Sequence, residues 1–393
     1  MAEPSPKQPS EKTSEKTSEQ TDSHEPTSSS RQDEEENRWG DDHFFEIIAE
    51  LVMLHSPSGV ESEVNDYLLN RLGELGVEHW QDAADNIVIK IAGQGEEQIS
   101  TAKGERNPAI AITAHKDEIG GIVKKVASDG RLFVRALGGA YPWIYGEGVV
   151  DLLGDRETVS GILSFGSRHV SHESPQKAQQ EGKAVEWPMA WVETKRSIYE
   201  LSEAGIRPGT RMVVGKHRKR PFRMGNHIAS YTLDNKASLA ILLALAETVK
   251  APPVDVYLVA SAKEEIGAIG ALYFTQRTQI DQLIALEICP LSREYPLVDG
   301  PIPAIFAQDS YGLYDDGLNQ EIRAAAKRVS IPTQTATVSG FGSDASIAMK
   351  FGHVARAACL SFPTENTHGY EIADLGAIRN CYRILKETIA GLS

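Results

Sequence analysis

Four largely apolar runs constrain most strongly what this 393-residue chain can fold into. Each run has the length of a strand that is buried on both faces of a sheet. The runs lie at 109–113, 254–260, 283–288 and 354–362. Segments with apolar residues at helical spacing occur between and around these runs. Such alternation of strand and helix predicts an α/β domain.

The segment from about 120 to 225 has a different character. It contains many short β-like pieces separated by Gly and Asp, which is typical of a small β-rich domain. We therefore expect an α/β domain formed by 41–119 and 228–393, with an insert at 120–227. Residues 1–38 contain only two apolar side chains, Met1 and Ala2. A segment of that composition cannot bury enough apolar area, so we expect residues 1–40 to be a disordered tail.

Charge and composition exclude several classes of protein. The chain has 40 basic and 55 acidic residues, a formal net charge of −15, which argues against nucleic-acid binding. It has no run of 18 apolar residues, so we expect no membrane span and no membrane partner. Three cysteines without paired spacing predict neither a disulfide framework nor a zinc-knuckle site. The expected location is the reducing cytoplasm.

Acidic residues and histidines follow or interrupt the apolar runs. In an open α/β sheet, ligands bind beyond the carboxyl ends of the strands. The residues at such positions are His115, Asp117, Glu264, Glu265, Glu287 and His368, and Asp234 stands at the start of an apolar helix. Each of them alone has an ordinary structural explanation; Asp234, for example, could be a helix N-cap. Together they predict one site.

The residue types at this site favour a metal centre. Histidine and carboxylate ligands without a thiol suit Zn²⁺, Mn²⁺ or Co²⁺ in an open, hydrolytic site. Glu287 interrupts an apolar run, and a buried carboxylate requires a cation to offset its desolvation. Of the adjacent pair Glu264 and Glu265, one could bind metal while the other accepts a proton from water.

At five separated motifs the sequence resembles the glutamyl-aminopeptidase-like family. These are the tetrahedral (TET) di-metal aminopeptidases of the zinc exopeptidase clan. The motifs are AHKDEIG at 114–120, LDNK at 233–236, KEEIG at 263–267, GSDA at 342–345, and His368. The resemblance spans about 42–390. It implies a zinc-peptidase α/β fold, with a mixed sheet flanked by helices and an inserted, barrel-like β-rich lid or oligomerisation domain. It also implies a homo-oligomer, with the dodecamer as one form.

The resemblance further implies a role for each site residue. Two divalent metal ions per subunit, Zn with Co or Mn as alternatives, would be bound by five ligands. The implied ligands are His115, Asp234 as the bridging carboxylate, Glu265, Glu287 and His368. Glu264 would be the general base that deprotonates a metal-bridging water, and Asp117 would orient His115.

Two departures from the family pattern leave the substrate open. The family usually has Asp-Asp-Arg where this chain has Asp234, Asn235 and Lys236, and Asp where it has Glu287. In the wider clan, a Glu at the position of Glu287 occurs in some carboxypeptidases and acylases. The leading hypothesis is an aminopeptidase acting on short peptides. One alternative is an acylase, amidase or dipeptidase acting on N-blocked dipeptides, such as acetylated osmoprotectants. The other is an inactive metal-binding scaffold, against which the intact Glu264 argues.

Overall fold

A computed structural model describes residues 38–94, 108–167 and 180–392. The predicted tail lies outside the described residues except for its last three. Among those three, Trp39 is 2% exposed, and its ring packs against Phe44 and Tyr382. The packed part of the chain therefore begins two residues before the expected boundary, because this indole belongs to the core.

The helices and strands follow one another along the described residues. The helices are α1 (Asp41–Val52), α2 (Ser62–Leu75), α3 (Pro142–Tyr145), α4 (Ile198–Glu203), α5 (Leu233–Thr248), α6 (Ile269–Arg277), α7 (Asp316–Arg328), α8 (Asp344–Lys350) and α9 (Leu375–Ala390). The strands before the insert are β1 (His79–Gln81), β2 (Ile87–Ile91) and β3 (Ala109–His115). Those of the insert are β4 (Gly120–Val126), β5 (Leu132–Leu137), β6 (Gly148–Leu153), β7 (Thr158–Ser164), β8 (Trp191–Glu193) and β9 (Arg211–Val214). The later strands are β10 (Phe222–Met224), β11 (His227–Tyr231), β12 (Asp255–Ser261), β13 (Gln282–Pro290), β14 (Ala304–Gln308), β15 (Gln334–Thr337), β16 (Arg356–Glu365) and β17 (Tyr370–Asp374).

Within the described residues, eleven strands form one mixed sheet in the order β1-β2-β12-β3-β13-β16-β17-β11-β10, with β14 and β15 beside β16. The four apolar runs of the sequence form its centre as β12, β3, β13 and β16, which are mutually parallel. Their carboxyl ends consequently lie at one edge of the sheet. The predicted α/β class with a mixed sheet is confirmed.

Helices cover both faces of this sheet. Alternate residues of a central strand enter different cores: Ile284 and Leu286 of β13 pack with α1, α5 and α9, whereas Leu283 and Ala285 pack with residues of α6 and α8. A strand buried on both faces has no polar alternation, and this explains the continuous apolar runs. Helix α5 is buried along nearly its whole length, as its all-round apolar sequence predicts.

The inserted segment forms a closed antiparallel barrel in the order β4-β5-β8-β7-β6-β9. The barrel strands run from Gly120 to Val214 and enclose a separate apolar core. Strands β10 and β11, at 222–231, pair with β17 and belong to the large sheet. Among the described residues, no helix combines the length and apolar character that crossing a membrane requires.

A buried group of charged residues connects the barrel to the rest of the chain; we call it the Lys219 cluster. Its members are Lys219, Glu118, His55, Asp151 and Lys236. The ammonium of Lys219 donates to both carboxylate oxygens of Glu118, at 2.7 and 2.6 Å, and lies 3.1 Å from Nδ1 of His55. Nε2 of His55 lies 3.0 Å from Oδ2 of Asp151 on β6. Lys219 is 0% exposed and Glu118 is 1% exposed, so neither charge has water as an alternative partner.

Removing the Lys219 side chain is expected to destabilise the fold strongly. The change Lys219→Ala leaves the buried carboxylate of Glu118 without its main partner, which costs about 3–5 kcal/mol. Lys216→Ala is the matched control: Lys216 pairs with Glu63 at 2.7 Å, but both side chains are well exposed, so its loss costs about 0–1 kcal/mol. Urea unfolding of both variants measures the difference. Equal losses would contradict the role given to the cluster.

Acidification is expected to reduce the difference in unfolding free energy between the wild type and the Lys219→Ala variant. Burial alone would raise the pKa of Glu118, but Lys219 and Lys236 outweigh it and lower the pKa to about 2, from an ordinary 4.5. A depressed pKa stabilises the native protein above the unfolded-state value, and this contribution is lost as the pH falls from about 4.5 towards 2. In the variant the pKa of Glu118 is higher, so less stability is lost as the pH falls. Unfolding free energies of both proteins at pH 7, 5 and 4 test this. A difference in unfolding free energy that does not change with pH would contradict this prediction.

Candidate metal centre

The candidate centre lies at the carboxyl edge of the parallel strands. Each strand contributes its residues at or near its end, and α5 contributes one more at its start. His115 ends β3, Glu264 and Glu265 follow β12, Glu287 is in β13, His368 follows β16, and Asp234 follows β11. The sheet thus brings together residues that are as much as 253 positions apart in the sequence, from 115 to 368.

The five predicted ligands form two groups that share Asp234. The first group is His115, Asp234 and Glu287; the second is Asp234, Glu265 and His368. Within each group, one ligand atom per residue lies within 4.8 Å of the others. One carboxylate oxygen of Asp234 is 3.0 Å from Nε2 of His115, and the other is 3.4 Å from Nε2 of His368.

The remaining members of each group lie slightly farther apart. Oε2 of Glu287 is 3.8 Å from Nε2 of His115, and Oε1 of Glu265 is 3.6 Å from Nε2 of His368. Asn235 donates from its amide nitrogen to Oε2 of Glu287 at 3.2 Å, which helps to orient that carboxylate. Each group therefore offers one histidine nitrogen and carboxylate oxygens from two residues.

Asp117 holds the segment that carries the two adjacent glutamates. Its carboxylate accepts hydrogen bonds from the backbone N–H of Glu264 at 2.8 Å and of Glu265 at 3.3 Å, and from the hydroxyl of Ser58 at 2.6 Å. Nδ1 of His115 hydrogen-bonds the backbone carbonyl of Asp117 at 3.0 Å, while the carboxylate is 3.7 Å away. Asp117 thus orients the imidazole through its main chain, and the glutamate segment through its side chain.

The centre concentrates buried negative charge. Burial raises the pKa of Glu264 and of Glu287 well above the ordinary value, and neighbouring carboxylates add to the shift. For the same reasons the pKa of Glu265 rises to about 7. Carboxylates crowded in this way retain protons unless a cation offsets their repulsion.

The two histidines are surrounded by this negative charge. Burial alone would lower the pKa of His115, but Glu287 and Asp234 outweigh it and raise the pKa well above its usual value. The pKa of His368 likewise rises to about 10 against the effect of burial, because of Glu265 and Asp234. Such surroundings attract positive charge. Imidazole and carboxylate donors together fit divalent Zn, Co or Mn, so the residues present suit the metals that the sequence predicts.

Two further acidic residues belong to the centre, although the sequence did not single them out as site residues. Glu371 is 1% exposed; its two carboxylate oxygens accept the backbone N–H of Asp234 at 3.0 Å and of His368 at 2.9 Å. It therefore fixes the main chain of two candidate ligands at once. Its signal in the sequence is weak, since it is simply the acidic residue three positions after His368.

Asp344 is the other acidic residue. It lies at the start of α8, accepts a hydrogen bond from Ser261 at the end of β12, and is 1% exposed. Burial raises the pKa of Asp344 to about 6. Its signal in the sequence is the GSDA motif, which carries part of the family resemblance but to which no role was given.

Lys236, which replaces the usual family arginine, points away from the candidate ligands. Its ammonium donates to the carbonyl of Leu54 at 2.5 Å and lies 3.5 Å from Oε2 of Glu118. This departure therefore affects the Lys219 cluster and leaves the ligand set unchanged.

The barrel closes one side of the centre. Tyr145 of α3 and Thr232 line a small cavity beside Asp234, Glu265 and His368. Their hydroxyl groups are buried and have no hydrogen-bond partner among the described residues. The inserted segment thus brings an unused polar group to the wall of the site.

Comparisons with known proteins give the family and the fold of the chain. The model of the M42 glutamyl aminopeptidase family matches residues 97–384, which is more than half of the chain. The lysyl aminopeptidase of Pyrococcus furiosus is 25% identical over 327 residues, which cover 81% of this chain and 91% of the relative.

Solved structures are similar over nearly the whole chain. An aminopeptidase from the archaeon Desulfurococcus kamchatkensis has a TM-score of 0.77 at 26% identity, with 90% of this chain and 96% of that chain covered. The TET1 peptidase of Pyrococcus horikoshii can assemble into a tetrahedron or a large octahedral shell. It has a TM-score of 0.77 at 18% identity, with coverage of 89% and 100%, and this likeness concerns the fold alone. From the family match, the chain belongs to the M42 glutamyl aminopeptidase family.

Proposed function

We propose that this protein is a di-metal aminopeptidase that removes the first residue of short peptides. The observation that carries the proposal is the pair of ligand groups that share Asp234. Two histidine nitrogens and three carboxylates lie close together at this edge of the sheet, and Glu264 lies beside them. Family membership supports the same reaction.

In this proposal, His115 and Glu287 would hold one divalent ion, Glu265 and His368 would hold the other, and Asp234 would serve both groups. Bound divalent ions would supply Lewis acidity, which lowers the pKa of a water and polarises the scissile carbonyl. Zn²⁺ is the first choice for this donor set, with Co²⁺ and Mn²⁺ as alternatives. Glu371 and Asp117 keep the ligand-bearing segments in place through their hydrogen bonds to the backbone.

Glu264 is the proposed general base. It is held next to Glu265 by the carboxylate of Asp117, and it lies close enough to His115 to affect the pKa of that imidazole. A carboxylate whose pKa is raised by burial can accept a proton from water and return it to the leaving amine. This division of roles between adjacent glutamates leaves Glu265 free to act as a ligand.

The charges near the centre favour a free amino terminus over a blocked one. The excess of carboxylates attracts the ammonium group of an unblocked peptide. An N-blocked dipeptide has only its carboxylate as a charged group and needs a cation to bind it. The neighbouring lysines are engaged elsewhere: Lys116 pairs with Glu61, Lys236 donates to Leu54, and Lys263 donates to Ala84. The acylase and dipeptidase alternatives are therefore less well supported.

A homo-oligomer is part of the proposal. Its support is the assembly of the Pyrococcus horikoshii peptidase of the same fold. Large apolar side chains on this chain are also exposed, among them Tyr199 at 71% and Phe222 at 59%. Contacts between subunits would cover such surfaces.

Replacing the proposed base is expected to separate chemistry from metal binding. Glu264→Gln keeps the shape of the side chain but cannot accept the proton, so turnover should fall by about 10²–10⁴-fold with bound metal unchanged. Glu265→Gln and His115→Ala are the matched controls, and both should lower the bound metal measured by elemental analysis. Full activity of the Glu264→Gln variant would refute its assignment as base. Unchanged metal in His115→Ala would remove His115 from the ligands.

The substrate class is tested with paired peptides after reconstitution with Zn²⁺, Co²⁺ or Mn²⁺. Free-amine dipeptides and their N-acetylated counterparts are offered separately, and the release of free amino acids, acetate and deacetylated dipeptide is measured by mass spectrometry. We expect cleavage of the free-amine set alone, because its ammonium complements the acidic centre. Turnover confined to the acetylated set would instead establish the amidase alternative. Bound metal without turnover of either set would favour the scaffold.

A further inference from the structure

A second, larger cavity lies on the barrel side of the candidate metal centre, and no role has been given to it so far. It has a volume of about 430 Å³ and lies between the segment that follows β5 and the residues that precede β8. Its size is within the range of about 300–1,000 Å³ that is usual for small-molecule sites. Its walls are formed mainly by glycine, alanine, proline and aromatic residues of 136–143 and 184–188.

The cavity adjoins the second ligand group through two glycines. Gly138 and Gly139 line the cavity, and both also contact the candidate ligands. A Cβ added to Gly138 would lie 3.3 Å from Oε2 of Glu265, and one added to Gly139 would lie 2.7 Å from Cε1 of His368. A glycine backbone thus lies between the cavity and two of the candidate ligands, Glu265 and His368. Any larger residue at 139 would collide with the imidazole.

The wall of the cavity is fixed and mostly apolar. The indole N–H of Trp187 donates to the carbonyl of Ala140 at 2.9 Å, which ties this ring to the backbone next to Gly139. Tyr141 and Trp143 also line the cavity, and their ring centroids are 6.0 Å apart. Both are more than half exposed, at 57% and 59%. Aromatic side chains in this arrangement bind large apolar groups well.

The charged residues that line the cavity also affect which side chains it can bind. Glu186 is the charged residue among those that line it, and no described lysine or arginine does so. An acidic side chain would therefore meet repulsion without a compensating cation. A neutral, bulky side chain would bury apolar area against the aromatic wall.

We propose that this cavity is the subsite for the side chain of the N-terminal substrate residue, and that it selects large apolar and aromatic residues. This inference rests on the proposed aminopeptidase function. It assigns the choice of substrate to the inserted barrel, whereas the proposed chemistry belongs to the edge of the large sheet.

The test compares kcat/KM for p-nitroanilides of Ala, Leu, Phe and Glu in the full-length, metal-loaded enzyme. The wild type should prefer Phe over Ala by at least about tenfold, and should cleave the Glu compound poorly. Ala184→Trp fills the cavity and should lower the Phe-to-Ala ratio by about tenfold. Trp143→Ala removes part of the aromatic wall and should also lower that ratio. Because both substrates are measured with the same preparation, the Phe-to-Ala ratio does not depend on the fraction of the variant that is folded.

Ala324→Trp is the matched control, since it adds the same indole at an exposed position on α7, which does not line the cavity. It should leave the Phe-to-Ala ratio at the wild-type value. An unchanged ratio in both cavity variants would overturn the inference. So would a change of preference confined to the leaving residue, measured with a Leu-X dipeptide series. A smaller oligomer with an unchanged ratio would instead identify the cavity as a contact between copies. If the wild type cleaved none of the anilides or dipeptides, the proposed function itself would fail.

Discussion

The concentration of carboxylates at one edge of the sheet is the constraint on which the rest of the structure depends. Four parallel strands must end side by side to bring their acidic residues and histidines together, and helices must cover both faces to keep those strands in place. The charge collected in this way is unfavourable by itself, since the pKa values of its glutamates are raised. The carboxylates of Asp117 and Glu371 accept hydrogen bonds from the backbone and so hold the segments that carry these residues. In the proposed function, divalent cations at the two ligand groups would offset the remaining repulsion.

Much of this arrangement could be predicted from local patterns. A strand that is buried on both faces needs a continuous apolar sequence, so the central strands and the residues at their ends were evident from the sequence. The edge strands were missed because their sequences lack such a pattern; Phe222–Met224, for example, is exposed at all three positions. Composition alone predicted a β-rich insert, and its barrel-like form came only from the family resemblance, because closure of the barrel depends on pairings between distant strands.

The role of Glu371 could not be predicted for a different reason. Its carboxylate accepts a backbone N–H from Asp234, 137 residues earlier in the chain, and such a contact has no signature in a single sequence. Lys236 is the reverse case, because the sequence drew attention to it but its side chain lies outside the centre. It stands two positions from Asp234, and its departure from the family pattern was one of the two that left the substrate open. The structure instead places its ammonium group on Leu54 and near Glu118, where it contributes to the junction with the barrel.

The two glycines between the centre and the larger cavity have a consequence for how such an enzyme can change over time. Their backbone is the boundary between residues of the sheet edge and residues of the barrel. Side chains beyond it, at 141, 143 and 184–187, can be exchanged without contact with Glu265 or His368. Mutations there would accumulate independently of those around the ligands. Under the proposed role of the cavity, a duplicated copy of this gene would acquire a new preference through changes in the insert alone, with the residues of the candidate metal centre unchanged.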